Sequence, residues 1–73
     1  MIIYTKHAKK RMEERKIADS DVSTVLAKPE IEYTSYGRIV VIKTIEKRKV
    51  GVVYVKEGND VIVVTVTLGD EGL

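Results

Sequence analysis

The 73-residue chain has no cysteine, tryptophan, phenylalanine or glutamine, and only one histidine and one proline. Without cysteine there is no disulfide, no thiolate nucleophile and no Cys-ligated zinc, and a single histidine leaves only carboxylates to complete a metal site. A transition-metal enzyme is therefore not expected, nor is any cofactor. No apolar run approaches the roughly 20 residues of a membrane span. The opening MIIYTKHAKKR sets its basic residues after a very short apolar patch, the reverse of a signal peptide. The expectation is a cytoplasmic protein with no membrane partner.

A strong excess of one charge is also missing, with 13 Lys and Arg against 11 Asp and Glu and a net of +2. That balance is too small to announce nucleic acid by itself, yet it is unevenly spread. Residues 1–28 carry seven cations and four anions, a net of +3, whereas residues 29–73 carry six and seven, a net of −1. A basic first third is either a solvated helix face or an anion-binding surface.

What is present is valine, isoleucine, lysine, arginine and glutamate, a composition suited to a heat-adapted cell. The length holds one domain, residues 1–73, and a core this small seldom supplies more than about 3–5 kcal/mol. Self-association into a homodimer, or a bound partner, is the expected supplement.

The pattern changes at Pro29. Before it, the segment Tyr4 to Lys16 reads as a helix capped by Thr5, with Tyr4, Ala8 and Met12 on its apolar stripe. Ile17 closes it, and Asp19 or Ser20 caps a shorter helix whose apolar face is Val22, Val25 and Leu26, ending before Pro29. After it, β-branched residues take over. Strands are predicted over Arg38 to Glu46, Lys49 to Glu57 and Val61 to Leu68, joined by turns at Lys47–Arg48 and Gly58–Asp60. A weaker strand, Ile31 to Tyr36, precedes Gly37, and Ile2 and Ile3 could add a short edge. The expected fold is α+β: two N-terminal helices packed on one face of a three- to four-stranded antiparallel sheet, with the tail GDEGL fraying. The second sheet face would carry Val and Ile outward unless something covers it.

The most distinctive stretch is HAKKRMEERKI, in which His7, Arg11 and Arg15 follow one another at i, i+4 and form one slanting row. His7 lies in the first turn, where free N–H groups favour an anion. The row suits a phosphate clamp with a neighbouring proton acceptor, and equally a helix-to-sheet clamp in which Arg stems cover apolar surface. On the sheet, Arg38, Arg48, Lys49 and Tyr54 have phosphate or proton-transfer chemistry, but Tyr54 and Lys49 point to opposite sides of their strand. Thr65 and Thr67 read as ordinary strand residues. No nucleotide-binding loop, Ser-His-Asp set or aromatic RNA-stacking motif is present.

Thr5, His7, Ala8, Arg11, Met12, Arg15 and Ile17 in the first helix, the Pro29–Glu30 turn, Gly37–Arg38, Tyr54 and Thr65 together resemble a small prokaryotic domain family of unknown function. That family looks like a distant member of the RelE/ParE toxin superfamily, and the resemblance runs from Ile3 to about Leu68. It implies a RelE-like fold, an RNA or ribosome target and a small acidic antitoxin. It also implies metal-independent endoribonuclease chemistry, in which a ribose 2′-OH attacks the adjacent phosphate. In that reaction His7 would be base or acid, Arg11, Arg15 and Arg38 would hold phosphate, and Tyr54 or Lys49 would be the second proton-transfer group. The competing expectation is a non-catalytic protein-binding or dimerisation module.

Overall fold

A computed structural model describes residues 1–69; the part of the expected frayed tail beyond Gly69 lies outside the described residues. The chain runs β1 (Ile2–Tyr4), α1 (Lys6–Arg15), α2 (Asp19–Ala27), β2 (Ile31–Ser35), β3 (Arg38–Ile45), β4 (Arg48–Glu57) and β5 (Asp60–Leu68). Five strands form one mixed sheet in the order β1-β5-β4-β3-β2. The expected antiparallel meander is present from β2 to β5, but the sheet is larger than three or four antiparallel strands, because β1 pairs parallel to β5. The short edge expected at Ile2 and Ile3 is this strand, but its parallel pairing with β5, distant in sequence, has no local signal to betray it.

Both helices lie on one face, α1 over β5 and α2 over β4 and β3. Ala8, Met12, Val22 and Val25 meet the sheet as expected and, joined by Ile17, form one buried cluster with Val41, Val50, Val52, Val63 and Val66, against which Tyr4 and Leu26 pack partly buried.

Local chemistry sets the boundaries. Tyr4 ends β1 instead of opening the helix, and Thr5 is the cap: its Oγ1 accepts the Ala8 N–H at 3.0 Å and donates to the Val64 carbonyl at 2.9 Å. At the other end Lys16 takes a left-handed φ of 55°, and the Ile17 N–H reaches back to the Met12 carbonyl at 2.8 Å, so Ile17 turns into the core. The second helix is not capped by Asp19 or Ser20. Ala18 occupies that position, and the Asp21 carboxylate accepts the Ala18 N–H at 3.0 Å. The β3–β4 turn is Glu46–Lys47, one residue earlier than expected. Both residues have positive φ, 49° and 70°, which matches the twist of a two-residue hairpin without any glycine.

The largely apolar β5 is an interior strand, flanked by β1 and β4, and it carries an irregularity. Val53 pairs with Thr65 while Tyr54 pairs with Val63, so Val64 is an extra residue, and its carbonyl is the one that Thr5 holds. The extra residue resets the alternation. Val61 and Val63 before it and Val66 and Leu68 after it all face the helices, and Thr65 and Thr67 turn to the other side.

Candidate functional site

Among the described residues, the contacts of His7, Arg11 and Arg15 include neighbours on the same helix. Arg11 Nε approaches His7 Nε2 at 3.5 Å, while Arg11 Nη1 and Arg15 Nη1 meet the same oxygen, Glu14 Oε1, at 3.0 and 3.3 Å. One carboxylate thus serves both guanidinium groups and can offset at most half of their combined charge. His7 itself is exposed.

The sheet residues separate onto two faces. Tyr54 points to the helix side, packed beside the core, with Ile39 and Val63 as cross-strand neighbours. Burial pushes its phenol above the ordinary value, and the Glu32 carboxylate pushes in the same direction. Tyr4 is raised in the same way, first by burial and then by Asp19, which is both a nearby charge and a hydrogen-bond partner. Lys49 is exposed near the start of β4, on the face opposite Tyr54. Arg38 pairs with Ser35 on the face away from the helices. The expected phosphate clamp of Arg11, Arg15 and Arg38 is therefore divided by the sheet. Strand alternation, with Val41 in the core, obliges Arg38 to face away.

Arg48 has a different task. Its Nη1 donates to the carbonyls of Arg15 at 3.2 Å and Lys16 at 3.1 Å, and its Nη2 to Asp21 Oδ2 at 3.4 Å. It fastens the end of α1 and the start of α2 to the first residue of β4.

The open face holds a concave site of about 210 Å³ lined by Tyr33, Ser35, Tyr36, Arg38, Val40, Val53, Thr65 and Thr67. Its floor is apolar. Val40 is only 4% exposed although it lies outside the helix-side core. The rim is polar and aromatic. Arg38 makes no ion pair or side-chain hydrogen bond among the described residues, and Tyr36 is fully exposed (101%) at a left-handed φ of 51° in the β2–β3 turn. The Thr67 hydroxyl is buried with no hydrogen-bond partner, which is costly in the absence of a ligand or water. Of these residues, sequence reasoning selected only Arg38. The alternation of Ile31, Tyr33 and Ser35 was the available sign of a shared face, whereas nothing in the pattern announces the extra residue that turns both threonines into the groove.

Among the described residues, no group of three or more His, Cys, Asp or Glu side chains could hold a metal ion. None of the helices described is long and apolar enough to cross a membrane.

The fold and site define a small α+β domain, with a helical hairpin on one sheet face and an Arg- and Tyr-rimmed groove on the other. The chain belongs to the family of the domain of unknown function DUF4258, whose model matches residues 4–67. No curated protein and no solved structure matches it.

Proposed function

We propose that this chain is an RNA-directed protein of the RelE-like toxin type, a metal-independent endoribonuclease whose RNA lies on the open sheet face. The observation that carries this reading is the groove. A guanidinium unpaired among the described residues suits a phosphate, exposed tyrosine rings suit unstacked bases, and the Ser35, Thr65 and Thr67 hydroxyls suit base or ribose edges. The reading is also supported by the resemblance of residues 3–68 to a small domain family that looks like a distant member of that superfamily.

In the 2′-OH attack the 2′-oxygen bonds to phosphorus and the 5′-oxygen leaves; Arg38 would neutralise charge building on the phosphate, and the Tyr33 and Tyr36 hydroxyls would relay the 2′-OH proton to the leaving 5′-oxygen. Among the described residues, no histidine or carboxylate lines the groove. This places most of its contribution in binding and charge stabilisation. His7, Arg11 and Arg15 then form an accessory basic edge on the opposite side of the sheet.

A second reading, a protein-docking module without chemistry, is favoured by the apolar groove floor and by the exposure of Ile31 and Tyr33 at the sheet edge.

The test is binding and cleavage of a short single-stranded RNA. Arg38→Ala should weaken binding by about 1.5–3 kcal/mol, as for a hydrogen bond to a charged group. Tyr36→Ala should cost about 1–3 kcal/mol per stacked base and leave the fold intact, since its ring touches no core. Arg11→Ala should stay within about twofold, given its shared carboxylate. Cleavage by the parent should leave cyclic phosphate ends without added metal. An RNA that binds but stays whole reduces the activity to binding, and no binding at high micromolar protein leaves the docking reading. Weakening by Arg11→Ala alone would move the site to α1.

A further inference from the structure

The sheet ends on β2, and this edge is open. All residues of Ile31–Thr34 are exposed, Ile31 to 50% and Tyr33 to 39%. Natural edges are usually blunted by lysine, proline, a bulge or extreme shortness. The segment IEYTS has none of these devices, whereas the opposite edge, β1, is only three residues long.

The hairpin tells which backbone groups are free. The two-residue turn Tyr36–Gly37 is closed by the pair Ser35–Arg38, which is hydrogen-bonded in such hairpins. Pairs alternate along an antiparallel ladder, so Tyr33–Val40 and Ile31–Ile42 are also of the bonded type. The N–H and C=O groups of Glu32 and Thr34 therefore point outward.

We infer that β2 is a homodimer seam, in which two copies pair antiparallel about a two-fold axis through Tyr33 and form one ten-stranded sheet. In this register Glu32 of one copy faces Thr34 of the other, and the reverse, so all four outward groups on each strand find partners. Tyr33 meets Tyr33 as a close, non-bonded pair on the open face. A register centred on Glu32 sets two carboxylates against each other, and one centred on Thr34 sets Glu32 against the turn residue Tyr36. The edge thus pairs with a second copy of itself in one register that satisfies its outward hydrogen-bonding groups without setting like charges against each other. That self-complementarity argues for a second copy over an unrelated strand.

The experiment is the mass in solution from micromolar to millimolar protein, with two kinds of variant. The parent should move from 8.2 kDa towards twice that value as concentration rises. Thr34→Pro removes an outward N–H without touching the β3 ladder, and should weaken the dimer by about 30-fold or more. Because proline could disturb the strand, its melting curve is measured alongside, and cysteine variants decide independently. The parent has no cysteine. Tyr33→Cys should cross-link on mild oxidation, because opposed Cβ atoms in a non-bonded pair lie within about 4.5–5.5 Å. Ile31→Cys should not, since the two copies of that residue sit about 13 Å apart, four residues out of register. A parent that stays at 8.2 kDa to millimolar concentration overturns the seam. So does a folded Thr34→Pro dimer as tight as the parent, or an Ile31→Cys cross-link as complete as that of Tyr33→Cys.

Discussion

Replacing Arg48 with alanine should destabilise the domain more than any other exposed-rim substitution, because one guanidinium serves three acceptors on two helices. The carbonyls of Arg15 and Lys16 belong to the unsatisfied end of α1, where the helix dipole favours a cation, and Asp21 opens α2. Each hydrogen bond to a charged group is worth about 1.5–3 kcal/mol in a dry setting, but the Arg48 and Asp21 side chains are 35% and 21% exposed. Water recovers part of that, leaving a loss of about 2 kcal/mol for the whole contact. A domain of this length has about 4–11 kcal/mol in total, so Tm should fall by about 8–16 °C. Thermal melts followed by circular dichroism measure this directly. Arg48→Lys should recover less than half, since an ammonium cannot span the two carbonyls and the carboxylate with a planar fork. Most of the difference should persist at high salt, because screening weakens the Asp21 pair and not the carbonyl bonds. An Arg48→Ala protein melting within about 2 °C of the parent would refute the view that this side chain joins the helices to the sheet.

Thr67→Val removes a buried hydroxyl that has no partner and keeps the shape, so it should raise stability by about 1 kcal/mol, while weakening any ligand that uses the hydroxyl; unchanged or lower Tm would show that water already satisfies it. Tyr4 and Tyr54 have folded pKa values above the usual phenol value of 10.0, so the unfolded chain loses these protons first as pH rises past 10.0. Stability from this source is therefore complete below pH 10.0 and declines above it, and ultraviolet titration should show late-ionising phenols that disappear one each in Tyr4→Phe and Tyr54→Phe. If neither variant loses a late component, the two rings are not shielded as described.

The helical third and the meander were legible because both are written in short-range periodicity. Ala8, Met12, Val22 and Val25 recur at helical spacing, and β-branched runs separated by turn residues can only be strands. Three features escaped for one physical reason, namely that each depends on residues far apart in the chain. The β1–β5 pair, the Arg48 contact with both helices and the extra residue at Val64 are tertiary choices. The candidate site suffered most. The i, i+4 row on α1 is visible in any helical projection, whereas the groove is assembled from β2, β3, β4 and β5 and is invisible until the register is known.

The pairing of the first strand with the last also sets an order of assembly. Thr5 and Val64, joined by the 2.9 Å hydrogen bond, are separated by 59 positions, so a chain emerging from the ribosome must keep Ile2–Tyr4 unpaired until β5 has been made. The local hairpins β2–β3, β3–β4 and β4–β5 close cheaply, and the long loop that brings β1 home carries the largest closure entropy. Until that happens α1 lacks the Val64 carbonyl that anchors its cap, and β5 presents a bare edge. Completion of the fold and covering of the β5 edge are therefore one late event.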